Sequence, residues 1–108
     1  MISFIIIGKN EGWKLKKCLE SVFVTIKHNQ LDEYEIIYID SNSTDNSIEH
    51  AKQFDDTKIF KIKGQCNAAI ARNVGARQSK GDILFFIDGD MEIDPSFLFS
   101  IFEKNINS

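Results

Sequence analysis

Four short runs rich in β-branched and aromatic residues recur along the chain: ISFIII at 2–7, YEIIYI at 34–39, KIFKI at 58–62 and ILFFI at 83–87. The segments between them change period. Leu15, Cys18, Leu19, Val22 and Ile26 follow one another at three- and four-residue steps, which predicts a helix with one apolar stripe. A short helix follows the second run, capped by a hydroxyl near Thr44, with Ile48 and Ala51 facing inward. Residues 67–79 read as a helix rich in Ala, and Asp94-Pro95 opens a last helix whose apolar face is Phe97, Leu98, Ile101 and Phe102. Strands alternating with helices dictate an α/β fold, a parallel sheet covered on both faces. The first and fourth runs are nearly unbroken, which predicts burial on both faces, whereas KIFKI alternates and belongs nearer an edge.

Composition narrows the class. The 108 residues suit one domain, 1–108, and 43% are apolar. Thirteen basic against sixteen acidic side chains give a net charge of −3, so the chain carries no nucleic-acid footprint. The run Phe4–Ile7 is too short to span a bilayer, and no basic region precedes it. Cys18 and Cys66 are far apart and in no metal-ligand spacing, which points to a reduced, cytoplasmic setting. His28 and His50 are expected at the surface, and no Ser/His/Asp or Cys/His arrangement stands out. Trp13 follows the first loop and either roofs a pocket or staples the helix.

In a sheet of this kind ligands bind beyond the carboxyl ends of the strands, near the point where strand order reverses. That rule selects three loops, 8–12, 40–45 and 88–92, and requires them to meet at one edge, which predicts strand order 3-2-1-4. The fourth run ends in Asp88-Gly89-Asp90, with Glu92 and Asp94 behind it. Like charges so close repel, so a cation is their natural partner. In extended backbone positions 88, 90 and 92 share a side, and Gly89 lets a ligand approach the main chain. Two carboxylates suit Mg²⁺ or Mn²⁺, with substrate phosphates completing the shell. Asp40 ends the second run at the same edge and can accept from a base N–H or a ribose hydroxyl. Gly8-Lys9-Asn10-Glu11-Gly12 is neither a dinucleotide fingerprint nor a P-loop; Glu11 serves either a sugar hydroxyl or the helix N-terminus. Arg72 offers a planar fork to a phosphate or base carbonyl, or pairs with Asp82 or Asp88.

Together, ISFIIIGKNEG, YEIIYIDSNSTDNS and NAAIARNVGARQSKGDILFFIDGD resemble, over residues 2–102, the family 2 glycosyltransferases. The resemblance implies a Rossmann-like GT-A fold, a three-layer αβα sandwich, here truncated to its donor-binding half. It implies that a nucleotide-diphosphate sugar, most often a UDP-sugar, is the donor. Asp88 and Asp90 would hold Mn²⁺ or Mg²⁺ on its diphosphate, and Asp40 would contact the base. Gly8, Asn10, Glu11, Arg72 and Gly89 would help seat the nucleotide. No catalytic base is expected within the chain; the base and the acceptor site, for a glycan, lipid or protein, would lie beyond Ser108, as would any attachment to the inner face of a membrane. The chain departs from the family pattern in carrying Ile7 and Lys9 in place of Pro and an aromatic residue, and Ser41 in place of a second Asp. A nucleotidyltransferase of related fold and an inactive nucleotide-binding fragment are the alternative readings.

Overall fold

The computed structural model describes residues 1–96. Its elements are β1 (Ile2–Gly8), α1 (Trp13–His28), β2 (Tyr34–Asp40), α2 (Ser47–Lys52), β3 (Thr57–Lys61), α3 (Ala68–Gln78) and β4 (Ile83–Asp88). The four strands form one sheet in the order β3-β2-β1-β4, every pairing parallel, as the meeting of the three loops requires. The expected last helix opens as read, with Pro95 and Ser96 helical and Asp94 Oδ1 accepting from the Ser96 N–H at 2.9 Å, whereas its apolar face, Phe97, Leu98, Ile101 and Phe102, lies outside the described residues.

Strand alternation sorts the apolar side chains onto two faces. Phe4, Ile6, Ile36 and Tyr38 pack with the buried stripe of α1 and with Ala51 of α2. Ile5, Ile7, Ile37 and Ile39 face the other way, onto Ala71 of α3. This is the three-layer αβα sandwich. Small residues let α3 sit close: a Cβ at Gly75 would fall 2.4 Å from Ile5 Cγ2. At the amino edge of the sheet, buried Glu35 accepts from Ser3 Oγ (2.6 Å), Lys58 Nζ (3.1 Å) and the Lys80 N–H. Burial opposes the charge there, but these donors win and hold the Glu35 carboxyl below its ordinary range.

Three expectations need correction. β4 is not buried on both faces: it is an edge strand, and Leu84 and Phe86 are exposed because α3 covers β1 and β2 instead. α2 starts at Ser47, not near Thr44, because the loop hydroxyls are engaged elsewhere: Ser43 Oγ donates to Asp40, and Ser47 Oγ donates to Asp45 Oδ1. His50 is half-buried rather than at the surface, since α2 lies against β3.

Candidate functional site

Register decides what stands at the carboxyl edge. Ile7 pairs with Asp88, Gly8 with Asp40, and Asp40 with Lys61. The chain runs outward from β1 through β2 to β3 and then crosses back to β4 on the far side of β1, so the reversal of order falls between β1 and β4. A cleft of about 360 Å³ opens there, walled by Gly8, Lys9 and Glu11 on one side and by Asp88 and Asp90 on the other. Asn67, Ala68 and Ala71 of the α3 region close it, with Ser41 and Cys66. Asn67 caps α3, its side chain accepting from the Ile70 N–H at 2.9 Å.

The Asp-Gly-Asp segment is a turn and not the extended stretch expected. Gly89 N–H donates to the Ile7 carbonyl (2.8 Å) and Met91 N–H to the Asp88 carbonyl (2.9 Å). Gly89 is buried, and what approaches it is the chain itself. A Cβ there would stand 3.2 Å from the Ile7 carbonyl oxygen and 3.3 Å from Glu11 Cγ, and a Cβ at Gly8 would stand 3.0 Å from the same Glu11 carbon. The two glycines form a floor on which the stem of Glu11 lies, bringing its carboxyl within electrostatic reach of Asp90. Burial, then the charge of Asp90, raises the Glu11 carboxyl above its ordinary value. Below the turn, Cys18 Sγ donates to the Asp88 carbonyl at 3.7 Å. Burial pushes this thiol up to about 12, with further contributions from Asp90, Glu11, Asp88 and Glu92.

Loops 8–12 and 40–45 are fastened together. Asn10, at a φ of 54°, uses its N–H to donate to Ser43 Oγ (2.8 Å) and its Oδ1 to accept from the Thr44 N–H (2.8 Å). Left-handed backbone is uncommon for a side chain, and Asn tolerates it. Asp40 is fully buried. Its Oδ1 accepts from Tyr38 Oη and Ser43 Oγ, both at 2.6 Å, and its Oδ2 accepts from the Ser43 N–H at 2.8 Å. Burial and the contact with Asp40 hold the Tyr38 phenol well above its usual range, so it stays a donor. Gly12 N–H donates to Ser47 Oγ at 3.0 Å, tying the start of α1 to α2.

The fold therefore gathers Gly8, Glu11, Asp88, Gly89 and Asp90 at one cleft, with Asn10 and Asp40 bracing its rim. Arg72 stands apart. It is exposed on α3, one residue beyond the cleft wall at Ala71. Among the described residues it pairs with neither expected acid; Asp82 instead binds the N-terminal ammonium at 3.1 Å. Trp13 is 64% exposed and is not among the residues that wall this cleft. Sequence reasoning overlooked Lys9, Ser41 and Cys66 as cleft residues. Lys9 carried a usable signal: a lone cation in the first loop, at the edge where the acids gather. Among the described residues no cluster of three His, Cys, Asp or Glu side chains forms a metal centre of protein groups alone.

Comparison with known proteins agrees with this geometry. The family model described as glycosyl transferase family 2 matches residues 3–105. Glycosyltransferase AglE of Haloferax volcanii is 38% identical over 93 residues, covering 82% of this chain and 30% of AglE. The structure of S. aureus TarS residues 1–349 superposes with a TM-score of 0.79 at 20% identity, covering 94% of this chain and 31% of that 1–349 chain, a likeness of fold. Glucosyl-3-phosphoglycerate synthase from Mycobacterium tuberculosis, in complex with Mn²⁺, UDP and glucosyl-3-phosphoglycerate, superposes with a TM-score of 0.66 at 25% identity, over 91% of this chain and 37% of the synthase. The chain thus spans about a third of the length of these three chains. The parallel 3-2-1-4 sheet, the acids at its reversal point and the match over residues 3–105 converge: the chain belongs to glycosyl transferase family 2.

Proposed function

We propose that this protein takes part in moving a sugar from a nucleoside diphosphate sugar to an acceptor hydroxyl, and that residues 1–96 form the donor site. One observation carries the reading: Glu11, Asp88 and Asp90 line a single cleft at the strand-order reversal, together with Lys9 and the capped start of α3. Asp88 and Asp90 are hard oxygen donors, too few to enclose a cation alone. That suits Mn²⁺ or Mg²⁺ shared with a diphosphate, which completes the shell. When bound, such a cation stabilises the charge that gathers on a departing nucleoside diphosphate.

The chain's own residues supply binding and orientation. Asp88 and Asp90 face the diphosphate, and Lys9 offers it a further positive charge. Gly8 and Gly89 keep the floor low, so that Glu11 reaches over it toward a sugar hydroxyl. Asn10 holds the first loop against the second. Arg72, without an ion-pair partner among the described residues, has its fork available to a phosphate or base carbonyl. Deprotonation of the acceptor needs a general base. This reading puts that base, for an inverting transfer, outside residues 1–108, in the part of the relatives' length that this chain does not span. The Mn²⁺ and UDP held by the mycobacterial synthase support a uridine donor here.

The test is a binding panel of UDP, GDP and ADP, each with Mn²⁺ and with a chelator. UDP should bind, and its affinity should fall when the metal is removed. Failure of every nucleoside diphosphate to bind under both conditions would overturn the reading.

A further inference from the structure

We infer that Asp40 acts on the nucleotide at one remove, as a positioning residue that locks the two loops of the cleft together, and does not itself read the base. The inference rests on the donor site proposed above. Its ground is geometric. A residue that reads a base must show the base an unengaged polar atom, and Asp40 is fully buried. Both of its oxygens are taken by protein donors: Tyr38 Oη and Ser43 Oγ on one, the Ser43 N–H on the other.

The bonds continue toward the cleft in one line. Ser43 Oγ, oriented by donating to Asp40, accepts from the Asn10 N–H at 2.8 Å. Asn10 returns the link by accepting from the Thr44 N–H. The next residue is Glu11, whose stem lies on Gly8 and Gly89. The backbone repeats the connection, with Ser41 N–H donating to the Gly8 carbonyl at 2.9 Å. Asp40 therefore fixes Ser43, Ser43 fixes Asn10, and Asn10 sets the turn that delivers Glu11. Ser41, which follows Asp40 and does line the cleft, is the residue of this loop that a ligand meets.

Asp40→Asn probes the relay, because an amide has one acceptor oxygen where the carboxylate has two, and so cannot accept on separate oxygens from the Ser43 N–H and the Ser43 hydroxyl. Ser43→Ala removes the Asn10 acceptor while leaving Asp40 in place. Two readouts are needed. In the free protein, amide hydrogen exchange at Asn10 should speed up by about tenfold in both variants, the scale set by losing one neutral hydrogen bond. In nucleotide titrations with Mn²⁺, both variants should weaken UDP and GDP by the same factor, and the double variant should be no worse than either single one.

Unchanged exchange at Asn10 in Asp40→Asn would overturn the inference. So would a shift in the UDP-to-GDP affinity ratio in Asp40→Asn that Ser43→Ala does not share, since that is the signature of direct base contact. If the wild-type protein binds no nucleotide, the proposed function fails while the exchange arm still decides this point. Should Asp40→Asn fail to fold, Tyr38→Phe removes one donor to the same carboxyl without changing volume, and faster exchange at Asn10 is again the expected result.

Discussion

Replacing Gly75 with Ala tests how the layers position the cleft. The added Cβ would lie 2.4 Å from Ile5 Cγ2 and 3.4 Å from Ile39 Cγ1. Carbon atoms rest at about 3.5–4.0 Å, so the first contact overlaps by more than 1 Å. Ile5 cannot turn away, being fully buried and β-branched, hence stiff at χ1. An extra methyl in a packed core costs about 1–3 kcal/mol, and this overlap belongs at the upper end. Ala is the better helix former, which returns about 1 kcal/mol. The net is a loss of about 2 kcal/mol, or a fall in thermal midpoint of roughly 10 °C for a domain of this size. Urea denaturation followed by circular dichroism measures it directly. Because Ala68 and Ala71 of the same helix wall the cleft, lifting α3 should also weaken nucleotide binding. A Gly75→Ala protein more stable than wild type would refute the close packing of α3 on β1.

Glu11→Gln should raise stability at neutral pH. The Glu11 carboxyl is raised in the folded state, so its contribution is fully present below its ordinary value and lost as pH climbs through the raised one; thermal midpoints of wild type and variant should therefore separate as pH increases from 4 to 7. Under native conditions a thiol reagent should modify half-exposed Cys66 and leave buried Cys18 untouched. With its thiol raised from 9.0 to about 12, Cys18 contributes stability below pH 9 that is lost as pH rises toward 12, and Cys18→Ala should flatten that alkaline loss.

Much of this was legible in the residues. The four apolar runs and the period change between them specify the element order, and the crevice rule places Asp88, Asp90, Glu11 and Asp40 at one edge. What sequence could not tell was who occupies the space between elements. Gly89 looked like an approach for a ligand, but the approaching group is Glu11, a contact 78 residues away that no local pattern encodes. Asp40 looked like an open acceptor, and three donors from Tyr38 and Ser43 take it up. The burial of β4 was misjudged for a related reason: composition reports how apolar a strand is, whereas its exposure depends on how far α3 reaches across the sheet. Arg72 shows the same limit, since helical phase alone set it one residue outside the cleft wall.

The central claim is that Asp88 and Asp90 stand together to share a divalent cation with a diphosphate. Isothermal calorimetry of UDP binding with and without Mn²⁺, in wild type and in Asp90→Asn, tests it most directly. The account predicts that Mn²⁺ strengthens UDP binding in wild type and that Asp90→Asn abolishes the metal-dependent part. The thermal midpoint of the variant should be unchanged or slightly raised, because the charge removed opposes Glu11. Nucleotide affinity indifferent to metal, together with an Asp90→Asn protein that unfolds, would contradict the account and make Asp-Gly-Asp a structural turn.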